Sequence, residues 1–150
     1  TTINNTIVLN NYGQEDLSHI TDALKTQLLK IPYGMIPKMI EHVHFNDQKP
    51  ENKNIMLTNS RDNKLKIYKN NKWIYRDKNE TLNDLVDSKY FILDTHFETT
   101  QESDDNSQID ELNEFQHDNY KKFKDLIDTS DKSVIENIKK ECEFILLNNR

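Results

Sequence analysis

Three observations predict an α+β fold. Apolar residues recur at helical spacing towards both ends of the chain, between Glu15 and His44 and again after Asn79. Apolar and polar residues alternate only in a central stretch, Ile55 to Arg76. All three prolines and the sole tryptophan lie between Ile31 and Asp77, which marks that stretch as the hub. The expected order is two short helices, a small antiparallel sheet of three to four strands, then long amphipathic helices. The expected division is an α+β module with an N-terminal strand over 1–100 and a helical hairpin extension over 101–150.

The first element is a strand. Thr1 to Asn11 has β-branched content, with Ile7 and Leu9 on one side of Val8, and Gly13 breaks the run. Its unpaired backbone needs a partner, either the internal sheet or the same strand of another copy. Glu15 to Lys30 reads as a helix with Leu17, Ile20, Leu24 and Leu28 on one face, capped by Ser18 or Asp16 and stopped by Pro32 and Gly34. Met35 to His44 reads as a second helix, with Pro37 in its first turn and Ile36, Met39, Ile40 and Val43 inward. Phe45 anchors its end.

Asn46 to Asn54 is a polar turn built on Pro50 and asparagines. Strands follow at Ile55–Thr58, Lys64–Lys69 and Lys72–Arg76. Asn70-Asn71 forms a two-residue hairpin turn, because asparagine tolerates positive φ. Leu65 and Ile67 share one face, with Tyr68 opposite. A long helix over Asn79–Thr99, capped by Asn79 or Thr81, carries Leu82, Leu85, Val86, Leu93 and Phe97 as its stripe. After an acidic break at Gln101–Asn106, Ile109, Leu112, Phe115, Phe123 and Leu126 support another helix up to about Asp128. Ser130 or Asp131 caps the last helix, which turns Val134, Ile135, Ile138, Cys142 and Ile145 inward.

Composition adds a charge layout. Only 34% of the 150 residues are hydrophobic and 31% are charged, with a mean hydropathy of -0.92. So little apolar content predicts an extended or oligomeric protein whose core is shared between chains. The net charge of -6 conceals a basic stretch, Lys49–Lys78, of +6 and an acidic one, Asn79–Asp118, of -11. Such a bipolar chain is expected to pair with itself before it binds nucleic acid. One cysteine, Cys142, excludes an internal disulfide framework and a cysteine-rich zinc site within this chain. No signal peptide and no apolar run of membrane-spanning length are found, so an intracellular, non-membrane setting is expected. Thr1 in place of an initiator methionine suggests a fragment of something longer.

The runs INNTIVLNNYGQEDLSHIT, IPKMIEHVHFN, PENKNI and KIYKNNKWIYRDKNETLNDLVD occur here in that order, within Ile3 to Asp87. Through them, the segment from Ile7 to about Glu98 resembles the C-terminal module of a large family of proteins from nucleocytoplasmic large DNA viruses of the mimivirus type. Members often carry an N-terminal zinc-finger-like segment. The resemblance implies a viral protein of the host cytoplasm or viral replication compartment, with viral or host protein partners. It attaches no activity to the module.

The residues offer no clear reaction. His42, His44, Asn46, Glu51 and Asn52 suggest a histidine-dependent metal nuclease, but His42 and His44 point about 200° apart on a helix. The structural reading is preferred: His42 faces solvent, and the His44 ring hydrogen-bonds the turn. His19, His96 and His117 are read as surface or helix-flank residues, and Cys142 as a buried small hydrophobe. No phosphate-binding glycine loop is possible with only Gly13 and Gly34. Lys64, Lys66, Tyr68, Lys69, Lys72, Trp73, Tyr75 and Arg76 form a basic aromatic hairpin suited to single-stranded nucleic acid or a protein partner. The preferred reading packs Trp73 and Tyr75 on helices, with the lysines guarding a sheet edge. The sequence therefore predicts a non-enzymatic homo-oligomer without metal or cofactor, working by self-association or partner docking, with direct nucleic-acid binding as the alternative. The expected self-association surface is Ile7, Val8, Leu9, Ile135, Ile138 and Ile145.

Overall fold

A computed structural model describes residues 7–102 and 112–150. Its architecture is α+β: two N-terminal helices, a three-stranded antiparallel sheet and three long helices. Ile109 and most of the acidic break lie outside the described residues.

Among the described residues the chain from Ile7 to Thr21 is not helical before α1 (Asp22–Leu29), so the first helix is shorter than its apolar spacing predicted. Tertiary bonds hold Asp16 out of a helix. Its N–H donates to Asn52 Oδ1 at 3.0 Å, its carbonyl accepts from Asn52 Nδ2 at 2.7 Å, and its Oδ1 accepts from the Ser18 N–H. The cap is Thr21, whose hydroxyl accepts from the Leu24 N–H, and not Ser18 or Asp16. Pro32 opens α2 (Pro32–His44) instead of merely closing α1, and Pro37 consequently sits inside the helix, beyond its first turn. The predicted inward face, Ile36, Met39, Ile40 and Val43, is buried together with Met35.

A single 3₁₀ turn over Pro50–Asn52 leads into β1 (Ile55–Met56), β2 (Lys64–Lys69) and β3 (Lys72–Asp77). The first strand is shorter than predicted. Asn70 and Asn71 have φ of 53° and 67°, the two positive values that a tight hairpin twisted like its strands requires. The register pairs Ile67 with Ile74 and Tyr68 with Trp73. Leu65 and Ile67 face the core, as the alternation predicted.

Helix α3 (Lys78–Glu102) is capped by Asp77, which accepts from the Glu80 N–H at 2.8 Å, in place of Asn79 or Thr81. All five residues of its predicted stripe are buried, and Lys89 and His96 are buried with them. Helix α4 (Glu114–Asp128) starts on a reciprocal capping box between Asn113 and Gln116. Phe115 is 78% exposed, because the inward face of α4 is Tyr120 and Phe123. Tyr120 packs 4.3 Å from Phe97 and donates to Asp94 at 2.7 Å. Helix α5 (Lys132–Asn148) is capped by Asp131 and packs on α2, α3 and β1. The helices after the break thus share one buried cluster with the module. Phe97, Tyr120 and Phe123 are the largest aromatic side chains fully buried in that cluster. Among the described residues no helix is long and apolar enough to cross a membrane.

Candidate functional site

The pleat of the hairpin sorts the basic aromatic residues onto two faces. Lys64, Lys66 and Tyr68 of β2 lie on the outer face with Trp73 and Tyr75 of β3, since Lys66 pairs with Tyr75 and Tyr68 with Trp73. Met56 of β1, opposite Lys66, extends that face. Lys69, Lys72 and Arg76 fall on the other side of the pleat: the two lysines flank the turn, and Arg76 stands opposite buried Leu65. The expected packing of Trp73 and Tyr75 on helices is not what the chain adopts. They are 36% and 67% exposed, because Leu65, Ile67 and Ile74 already occupy the face turned to the helices.

The outer face is ordered by its own contacts. Tyr68 and Trp73 meet edge to face at 5.6 Å and 70°. The Lys64 and Lys66 ammonium groups lie 5.8 Å and 5.2 Å from the centre of the Tyr75 ring. Two aromatic stations, each beside a neighbour on the adjoining strand, therefore stand one pleat repeat apart along β3. Such a surface can stack planar groups and neutralise phosphates or carboxylates.

The proposed self-association residues separate. Ile7 and Val8 are exposed and Leu9 half-buried, whereas Ile138 is buried in the chain's own core and Ile135 and Ile145 are half-buried. The segment that follows is tied down within the chain. Asn10 donates to the Glu51 carbonyl at 2.7 Å and Tyr12 to the Tyr68 carbonyl at 2.8 Å, while Asn11 Oδ1 accepts from the Asn70 N–H at 3.0 Å. It forms no regular strand, yet it continues the bonding of β2 past the short β1 and pins the hairpin turn.

Beneath it lies a buried polar cluster. His44 is fully buried, and its Nδ1 faces Asn54 Oδ1 at 2.9 Å and the Asn52 carbonyl at 3.3 Å, so its ring does bond the turn. Its Nε2 faces Glu15 Oε1 at 3.5 Å and has no hydrogen-bond partner. Burial, and then the positive charge of Lys89, push the imidazole down to about 3. Burial raises the Glu15 carboxyl above its ordinary range against the opposing pull of Lys89, and burial likewise lowers the Lys89 ammonium. Burial pushes the Cys142 thiol up to about 12, which suits a packed hydrophobe better than a nucleophile. His42 is half-buried, and its carbonyl accepts from His19 Nε2 at 2.7 Å. His96 is likewise buried, its Nε2 2.9 Å from the Thr26 hydroxyl, and is no surface residue. Among the described residues no three His, Cys, Asp or Glu side chains gather as metal ligands.

Sequence reading missed the meeting of Glu15, His44 and Lys89. One signal was present: Lys89 interrupts the stripe from Leu82 through Val86 to Leu93 at a position whose spacing is inward. Comparison with known proteins adds no identity: no family profile, curated protein or solved structure matches the chain.

Proposed function

We propose that this chain is a non-catalytic contact module whose working surface is the outer face of the sheet, and that its ligand is single-stranded nucleic acid. The observation that carries the reading is the exposure of Trp73 and Tyr75 beside Lys64 and Lys66 on one face. Bases stack on aromatic rings whatever their sequence, and the lysines beside the Tyr75 ring would meet the backbone phosphates. Lys69 and Lys72 extend the positive potential around the turn without belonging to the stacking face. The resemblance to viral modules supplies a setting for the same proposal, an infected host cell's cytoplasm or a viral replication compartment.

Fluorescence anisotropy with a labelled single-stranded oligonucleotide tests this. Trp73→Ala is expected to weaken binding by about 5- to 150-fold, the loss of one stacked base. With about three phosphates neutralised, the logarithm of affinity should fall with that of salt at a slope of about -2. An oligonucleotide that is not retained even at low salt, or that binds Trp73→Ala as tightly, refutes the reading.

Self-association is the second reading, and a specific observation favours it. Among the described residues no ion pair joins the basic stretch Lys49–Lys78 to the acidic stretch Asn79–Asp118. Lys49, Lys53 and Lys78 pair instead with Asp16, Asp47 and Glu143. Lys124 takes Asp94 and Glu98 of the acidic stretch, and the other charges of the two stretches are what a second copy or another protein partner would meet. Sedimentation velocity at low and high salt tests it, and a monomer at both would count against it.

A further inference from the structure

The cluster beneath the N-terminal segment plays no part in the outer sheet face, and its geometry carries a consequence for the proton it holds. Asn54 Nδ2 donates to the Asn10 carbonyl at 3.2 Å, which turns Asn54 Oδ1 towards His44 Nδ1. The Asn52 carbonyl is a second acceptor on the same nitrogen. Two acceptors require Nδ1 to carry the hydrogen, so a neutral ring presents the lone pair of Nε2 to Glu15 Oε1, 3.5 Å away. The His44 and Glu15 side chains are 0% and 7% exposed, so little water reaches the gap to separate two facing acceptors. They attract only when one of them is protonated.

We propose that the segment from Asn10 to Asp16 is a strap latched by a single proton held between Glu15 Oε1 and His44 Nε2, and that losing this proton loosens the strap and the hairpin turn together. Every neighbour of the pair bears on where the proton sits. Lys89 of α3 disfavours an imidazolium and favours a Glu15 carboxylate, as do hydrogen bonds to that carboxyl from the Glu15 and Gly13 backbone and the Asn54 side chain. Burial, the largest influence on each group, opposes both charged forms. Cys142 of α5 acts on Lys89. Tyr12 of the strap stacks on the His44 ring at 6.3 Å and 23°. The proton therefore belongs on the Glu15 carboxyl, which donates to a neutral His44. On release it passes to solvent and leaves a carboxylate facing a lone pair. The strap then remains tied by Asn10 to Glu51, by Tyr12 to Tyr68 and by Asn11 to Asn70, bonds whose strength the latch supports.

The test is amide hydrogen exchange of the full chain by NMR across a pH series, corrected for the intrinsic rate. It does not depend on what the sheet binds. In the natural sequence, protection of the Tyr12 and Asn70 amides should fall by about tenfold for each unit above the latch's titration, while amides inside the β2–β3 ladder hold. Glu15→Gln supplies a permanent donor to Nε2 and should keep protection independent of pH. Glu15→Ala, checked for folding by circular dichroism, should lose it at every pH. Nitrogen shifts of His44 should report hydrogen on Nδ1 in Glu15→Gln. Identical profiles for Glu15→Gln and the natural chain, or hydrogen on Nε2 of a neutral His44 in Glu15→Gln, would overturn the latch.

Discussion

Glu15 and His44 make stability depend on pH in opposite directions. The Glu15 carboxyl is raised from 4.5, so its contribution is fully present below that value and is lost as pH rises through its folded value. His44 is lowered from 6.5 to about 3, so its contribution is present above 6.5 and is lost as pH falls towards 3. Between pH 4.5 and 6.5, for as long as the folded Glu15 stays protonated, folded and unfolded chains each hold one proton on this pair. The pair then adds no slope there. Below pH 4.5 the unfolded pair holds two protons and the folded pair one, so the pair adds a fall in stability with a slope of about 1.4 kcal/mol per pH unit, on top of that from the lowered Asp16 and Asp47 carboxyls. Chemical denaturation from pH 3 to 6 measures this, with His44→Gln expected to flatten the slope while costing stability overall. An unchanged slope would remove His44 as its source. Trp73 offers the complementary lesson about single residues: a sole tryptophan usually joins the core, but here the pleat places it outside.

Helix ends and the hairpin turn show where local chemistry prevails. Asn113 with Gln116, Asp131 with Val134 and the Asn70-Asn71 turn all form from residues within a few positions of each other. The link from α4 to α5 is less comfortable. Ser130 has φ of 56°, with its N–H bonded to the Ile127 carbonyl and the Asp131 N–H bonded to the Leu126 carbonyl. This is the left-handed helix end at which glycine is the usual residue. Ser130→Gly should therefore raise stability by about 0.5–1 kcal/mol, because relief of the left-handed strain exceeds the added chain entropy. Thermal unfolding checks it, and a destabilised variant would mean that the Ser130 side chain contributes more than its backbone strain costs. The α1 start shows the opposite balance. Asp16 has the makings of a cap, yet its bonds to Asn52 hold it in the strap and leave capping to Thr21.

Across the molecule, charge and packing follow different divisions. Packing joins α2, α3, α4 and α5 into one cluster with the inner sheet face. Charge divides the same body. The hairpin is basic, and α3 carries acidic residues away from it over 25 residues, about 37 Å of helix. Pairing between copies through these blocks would be steep in salt, because the screening length falls from about 10 Å at 0.1 M to about 3 Å at 1 M. In sedimentation, the mass should drop towards the 17.9 kDa monomer as salt rises. Binding of an oligonucleotide should compete with that association, since both draw on the lysines of the hairpin.

Local pattern sufficed for the α+β class, the hairpin with its turn, the α3 stripe and the α5 cap. Each depends on periodicity or on a side chain reaching its near neighbours, which a linear chain displays directly. The eight residues of the basic aromatic hairpin were legible as a set. Their division into an outer five and an inner three needed the register and knowledge of which face the helices cover. The Glu15–His44–Lys89 cluster was legible only as a lysine out of place in an apolar stripe. Its members lie on the strap, α2 and α3, and burial and proton sharing exist only once those elements close over one another. Residues 1–6 of the predicted N-terminal strand lie outside the described residues, and folding drew its end, Asn10 and Asn11, into a strap over the hairpin turn while leaving the outer sheet face exposed.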